Sequence, residues 1–306
     1  MEYSDLADPL WRLFDEIVER LQSSAKGQLD VRAELLHIMR DTDGSLRELL
    51  KALQDKEKSG TSTGRWSDVR LLPRAQFERL FILLYLVHGQ AEAMLQYQRA
   101  AWASHWIYLK YEEHRHALPG ESKDWIDSQL RQAAASAKSL GIAQEDADET
   151  WRAASGGPPV AGLPKKPKQI QPLPTPGKMI LDNRLAGSRF EALAHLLYLP
   201  WKMECDFVHT GMRALSLGRN FRTRKTPISQ GGPSVEYQAA VLDKTLVQSM
   251  VLLLTALTVS ALEWMPQEHL LLNRCTKIWD RYRQGMDFAV VLWDGTVKNL
   301  MGVLGP

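Results

Sequence analysis

Apolar residues recur three and four positions apart along almost the whole chain, while runs alternating between apolar and polar positions are nearly absent, so the pattern predicts helices throughout. Asp8-Pro9 reads as the start of a first helix, with Leu10, Phe14, Ile17, Val18 and Leu21 on one face and an end near Gly27. A second runs from Leu29 to about Lys56 through Val31, Leu35, Ile38 and Met39. Asp41-Thr42-Asp43-Gly44, four poor helix formers in a row, is expected to interrupt it before Leu46, Leu49, Leu50 and Leu53 resume the pattern. Polar and small residues before Trp66 read as a loop. A more apolar block opens at Pro73 with Phe77, Leu80, Phe81, Leu83, Leu84 and Leu86, and Ala91 to His116 continues as a long helix bearing Tyr97, Trp102, Trp106, Tyr108 and Tyr111. Trp125 to Leu140 and Glu145 to Trp151 read as two more helices.

Between Gly156 and Lys178 the densely set prolines exclude a regular element, which predicts an extended connector of partly polyproline character. Beyond it, Arg184 to Leu199 is expected to be helical and to kink or break at Pro200, because an interior proline removes one backbone hydrogen bond. Trp201 to about Leu217 follows, then a Gly/Pro-punctuated basic loop from Gly218 to Ser234, a long helix Val235–Trp264, and a last helix from Pro266 to about Val291. The fold class is therefore all-α: a multi-helix bundle with a Pro/Lys-rich connector and a buried C-terminal helix. The expected organisation is a helical hairpin unit over 1–58, a first bundle half over 67–155, the connector over 156–178, and a second half over 179–306 that packs on the first. Thr245 to Leu262 carries no charge, yet Gln248, two serines and three threonines dilute it. That dilution favours a core helix over a bilayer span.

Composition adds limits rather than an identity. Hydrophobic residues make up 44% of the 306 positions and charged residues 24%, as a folded globular chain requires. The net charge of +2 supplies no global field toward nucleic acid or membrane, so any basic surface must be local. Two cysteines, Cys205 and Cys275, build neither a disulfide framework nor a Cys-rich zinc module. The acidic start MEYSDLADPLWRLFDE is unlike a signal peptide, and a cytoplasmic location is expected.

Four constellations carry possible chemistry. Glu34 and His37, Glu113 and His116, and Asp206 and His209 each set an acid three residues before a histidine, one helical face apart, as carboxylate-bridged metal sites in bundles use. Composition alone supplies about one such pair, so three are only a mild enrichment, and partner glutamates are not evident, so no metal and no cofactor are expected. His195, Tyr198, Lys202, Asp206 and His209 stack along one side of a helix, where Lys202 can neutralise Asp206 and Asp206 can orient His209. This face is the candidate catalytic or small-molecule site, or else a buried network that locks two helices. Arg213, Arg219, Arg222, Arg224 and Lys225 give +5 over 13 residues with Phe221 among them and no acid, the strongest charge concentration in the chain. They form the candidate binding surface for a protein partner or a nucleic acid. Finally, Arg32 and His37 have R-x4-H spacing. Glycine-rich phosphate loops, H-E-x-x-H and C-x-x-C are all missing, which disfavours the common nucleotide-binding and zinc-hydrolase classes.

Arg32-Ala33-Glu34-Leu35-Leu36-His37 resembles the ribonuclease motif of HEPN domains, in which the arginine and histidine act together on an RNA phosphodiester. The block Arg74 to Tyr111 together with His195 to Gly211 is similar to bacterial all-helical proteins of unknown function, of the HEPN-like and abortive-infection type. That resemblance implies a setting in bacterial defence or toxin systems. The resulting expectation is an all-helical binding or effector component of a larger assembly. The alternatives are a helical RNA-cleaving enzyme and a metal-dependent oxidase built on the acid-histidine pairs.

Overall fold

Leu10, Leu13, Phe14, Ile17 and Leu21, three or four residues apart, are all buried on one face of α1 (Tyr3–Ser24), and the helices that follow repeat this logic. The computed structural model describes residues 3–24, 30–58, 71–115, 120–157, 168–208 and 235–302. Among these residues are eleven α-helices, one π-helical turn and no strand, an all-α multi-helix bundle. In chain order they are α1, α2 (Val31–Lys58), α3 (Leu71–Arg115), α4 (Gly120–Ser139), α5 (Gln144–Ser155), α6 (Pro176–Leu181), α7 (Glu191–Val208), α8 (Val235–Trp264), α9 (His269–Arg283), α10 (Asp287–Leu292) and, after the π turn Trp293–Val297, α11 (Lys298–Gly302).

The chain divides into two compact units, one built from the residues up to Val87 with those from Pro176 onward, the other from His88 to Thr175. The expected segments 1–58 and 179–306 both fall in the first unit, and the expected block 67–155 is divided between the two within α3. In the first unit α8 is the central element, packed against α1, α2, α9 and α10. Every residue from Ser249 to Leu262 is buried. Thr245–Trp264 has the length and apolar character to cross a membrane, and 89% of that window is buried inside the fold. Three of its hydroxyls donate within the helix: Thr255 to Val251 O at 2.7 Å, Thr258 to Leu254 O at 2.8 Å and Ser260 to Ala256 O at 2.8 Å.

Two expected interruptions do not occur. α2 runs straight through Asp41-Thr42-Asp43-Gly44, because the polar side chains there have partners on neighbouring turns and helices. Thr42 donates to Ile38 O at 2.7 Å and accepts from Arg79 Nη1 at 2.9 Å, and Asp43 pairs with Arg47 at 2.7 Å one turn on. α7 likewise continues through Pro200. Its buried face, Leu193, Ala194, Leu197, Trp201 and Cys205, lies on both sides of the proline, and tertiary burial of both halves outweighs the one lost backbone bond.

The second unit has its own core. Trp102, Ala103, Trp106 and Leu109 of α3 pack with Ile126, Ala133 and Ala137 of α4 and with Ile142 and Ala147 around the start of α5. The two indoles stack at 5.4 Å, and Trp102 Nε1 donates to Ala133 O at 2.8 Å, so the polar edge of a buried ring is paired. Arg99 Nε donates to Leu140 O at 2.8 Å just beyond α4. α5 ends on Gly156 in the left-handed conformation at φ 73°, its N–H returning to Arg152 O. Of the expected connector, residues 168–175 are non-helical as anticipated, and its last residues open α6.

Two helical glycines have opposite surroundings. A methyl at Gly44 would meet nothing within 4 Å, whereas one at Gly89 would come within 2.5 Å of Ala93 Cβ. Gly44→Ala is therefore expected to stabilise the protein by about 0.5–1 kcal/mol in urea unfolding, through the helix propensity of alanine. Gly89→Ala should instead cost roughly 1–3 kcal/mol through overpacking. Equal effects of the two changes would contradict this packing.

Candidate functional site

The expected catalytic face on α7 divides on inspection. His195 and Lys202 are exposed, and Tyr198 is half-buried, tilted against Trp201 with centroids 5.6 Å apart. The buried stripe of α7 lies at Leu193, Leu197 and Trp201, and Trp201 meets Phe81 edge-on at 6.3 Å. His195 and Lys202 thus point away from the core, which corrects the expectation of a buried polar network along this face. The periodicity that places them together is real, but the larger apolar side chains claim the inward direction. The side chain of Asp206 and all of His209 lie outside the described residues.

Of the acid-histidine pairs, only Glu34 with His37 falls wholly within the described residues. His37 packs edge-on against Phe14 at 5.3 Å and lies 3.4 Å from Gln22 Nε2. Glu113 pairs with Lys110 at 2.8 Å. Among the described residues no three His, Cys, Asp or Glu side chains gather as metal ligands would, and His116 and His209 lie outside them. Cys205 and Cys275 are buried and form no disulfide, and burial pushes the Cys275 thiol up to about 12, so it is no nucleophile near neutral pH.

Arg32 is the best-organised charged side chain near the surface. Asp30, just ahead of α2, accepts from Arg32 N at 2.9 Å as a helix cap and from Arg32 Nε at 2.8 Å through the same Oδ1. The guanidinium also lies 5.0 Å from the Trp264 ring centroid. Burial raises the Asp30 carboxyl, and the Arg32 bonds and charge together with N–H groups of Arg32 and Ala33 more than reverse this, holding it below its ordinary value. Arg32 borders a recess of about 660 Å³, formed where α1 ends, α2 begins and α8 turns into α9, with Leu21, Trp264, Met265 and Glu268 among its walls. Its size suits a small molecule. Arg32 and His37 therefore do different work: one is held by a carboxylate and an indole, the other by a phenyl ring.

The remaining polar cluster is internal. Asp43, fully buried, pairs with Arg47 and accepts from Ser249 Oγ at 3.0 Å. Gln76 Nε2 donates to Met39 O at 2.8 Å and to Ser249 Oγ at 3.1 Å, which joins α2, α3 and α8 at one point. Arg47 also lies over the Trp11 ring of α1 at 5.2 Å. Burial first, and the Asp43 charge second, push the Tyr282 phenol above its ordinary value. Sequence reading treated Asp43 as a helix breaker. An acid and an arginine one turn apart inside a helix were the signal that was there to find.

The candidate binding residues Arg213, Arg219, Phe221, Arg222, Arg224 and Lys225 lie outside the described residues. Comparison with known protein families, with curated proteins and with solved structures yields no match.

Because the Asp30 carboxyl is held below its unfolded value, its contribution to stability is complete above about pH 4 and is lost as the pH falls through the folded value. Asp30→Asn is expected to cost about 1–3 kcal/mol at pH 7. The unfolding curves of parent and variant should converge as the pH is lowered from 4 toward 2. A gap that stays constant across this range would contradict the assignment.

Proposed function

We propose that this chain works by binding, as a cytoplasmic all-helical regulatory or effector component of a larger bacterial assembly in a defence setting, with Arg213 to Lys225 as its partner-facing segment. One observation carries the reading: five basic residues and an aromatic in 13 positions without an acid, in a chain whose net charge is only +2. Such a concentration attracts acidic protein surfaces and phosphate backbones alike, and glycines and prolines around it suit a loop to an irregular partner. Support comes also from the way polar groups are spent elsewhere. Asp43, Gln76 and Ser249 serve contacts between helices, and Arg32 serves a helix cap and an indole. The separate engagements of Arg32 and His37 favour binding over the RNA-cleaving alternative, which would need both on one phosphodiester. An acidic protein is the partner we favour, with nucleic acid as the second arm of the test.

Replacing Arg219, Arg222, Arg224 and Lys225 with alanine is expected to leave helical content and thermal unfolding unchanged and to abolish capture of the partner from the native host. Binding by the parent should fall steeply with salt, since exposed charge pairs are screened over about 8 Å at 0.15 M. Labelled single-stranded RNA, offered in parallel, separates the two partner classes. Equal capture by parent and variant at about 150 mM salt, where screening is physiological, would overturn the proposal.

A further inference from the structure

The described part of the proline-rich connector does not simply pass over the second unit; it is held there in a defined register. Lys168 N donates to Asp146 Oδ1 at 2.7 Å, and Ile170 N donates to Thr150 Oγ1 at 3.0 Å. The acceptors stand four residues apart on α5, about 6 Å along a helix axis, and the donors stand two residues apart, about 6.6 Å along an extended chain. The two spacings match, so an extended backbone lies along α5 with alternate N–H groups turned toward it. Thr150 is buried and donates its own hydroxyl hydrogen to Asp146 O at 2.7 Å, which leaves its oxygen free only to accept. Between those two N–H groups the exposed Gln169 turns outward, while the Ile170 side chain packs against the unit's apolar core, as Leu130, Leu140 and Trp151 also do.

Charge agrees with this geometry. The first turns of α5 read Gln144-Glu145-Asp146-Ala147-Asp148-Glu149, with Glu145 and Asp148 exposed. The segment seated on Asp146 and Thr150 carries Lys168, exposed, directly after Pro164-Lys165-Lys166-Pro167 in the sequence. A helix that offers two side-chain acceptors at strand spacing and an apolar seat has what recognition of an extended peptide requires: backbone bonds for affinity and a side-chain seat for specificity.

We propose that the α4–α5 face of the second unit is a recognition groove for an extended, lysine-bearing peptide with one apolar side chain, occupied in this chain by its own residues Lys168–Ile170 and open to a partner segment of the same pattern when they leave. The inference stands on α5 and the seated segment and does not rest on the Arg213–Lys225 surface. The chain's own segment is tethered, so it competes at an effective concentration on the order of 1 mM and holds the groove against weak ligands. Only a partner segment that binds more tightly, or is presented on a multivalent assembly, displaces it.

The test uses the full chain and a synthetic peptide with the sequence of residues 164–174, followed by NMR titration of the tryptophan indole signals. Ile170→Asp removes the apolar anchor of the resident segment, and Ile170→Ser does so more mildly should the first variant fold poorly. The peptide is expected to bind either folded variant at least about tenfold more tightly than it binds the parent, because the tethered competitor is gone. The same peptide with aspartate in place of its isoleucine should not bind. Adding Thr150→Val, which keeps the shape but removes an acceptor, should weaken binding several-fold. Equal affinity for parent and variants, or no saturable binding to the folded variants at millimolar peptide, overturns the proposal.

Discussion

A carboxylate with no access to water sits in the middle of α2, and the first unit is arranged around satisfying it. Taking an aspartate out of water costs several kcal/mol unless a countercharge and hydrogen bonds replace the solvent. Arg47 supplies the countercharge from one turn on, Ser249 supplies a hydroxyl from α8, and Gln76 ties that hydroxyl to the backbone of α2 at Met39. Three helices must therefore meet at one point and in one register. Apolar contacts around α8 are non-directional, whereas this cluster ties α2, α3 and α8 together through directional hydrogen bonds and an ion pair. Its satisfaction is incomplete, since Arg47 Nη2 and Gln76 Oε1 are buried without partners, so it specifies the arrangement more than it adds to stability.

The helical class, the burial of Thr245 to Leu262 and the extended connector before α6 follow directly from apolar periodicity, uncharged length and proline spacing. What sequence reasoning misjudged were the places where a local rule lost to tertiary contacts. Asp41 to Gly44 has the composition of a break, and it stays helical because its polar groups find partners on α3 and α8, up to 206 residues away in sequence. Pro200 has the signature of a break, and the helix continues through it with Leu197 and Trp201 buried on either side. The partners of Thr42 and Asp43 on α3 and α8 are not visible within a window of neighbouring residues.

The candidate sites were less legible than the fold, for a related reason. Helical spacing correctly aligns His195, Tyr198 and Lys202, but it does not say which side of α7 faces inward, and the aromatic and leucine stripe decides that. Arg32 was noticed for its distance from His37, whereas its actual partners are Asp30 two residues before it and Trp264 far along the chain. The seating of Lys168 and Ile170 on Asp146 and Thr150 has no local motif at all, because the match is between a helix repeat and a strand repeat in distant segments. Among the described residues, Arg32, Asp43, Gln76 and Thr150 are used as caps, clasps and internal ties.

The central claim is that the Asp43 cluster fixes how α2, α3 and α8 meet, and a pair of variants measured by urea unfolding tests it most directly. Asp43→Ala leaves Arg47 with an uncompensated, largely buried charge and is predicted to cost about 3–5 kcal/mol. Asp43→Leu combined with Arg47→Met removes both charges at similar volume and is predicted to recover most of that loss, while broadening the amide NMR spectrum as the register loosens. A cost below about 1 kcal/mol for Asp43→Ala, the level of an exposed ion pair, would contradict the account.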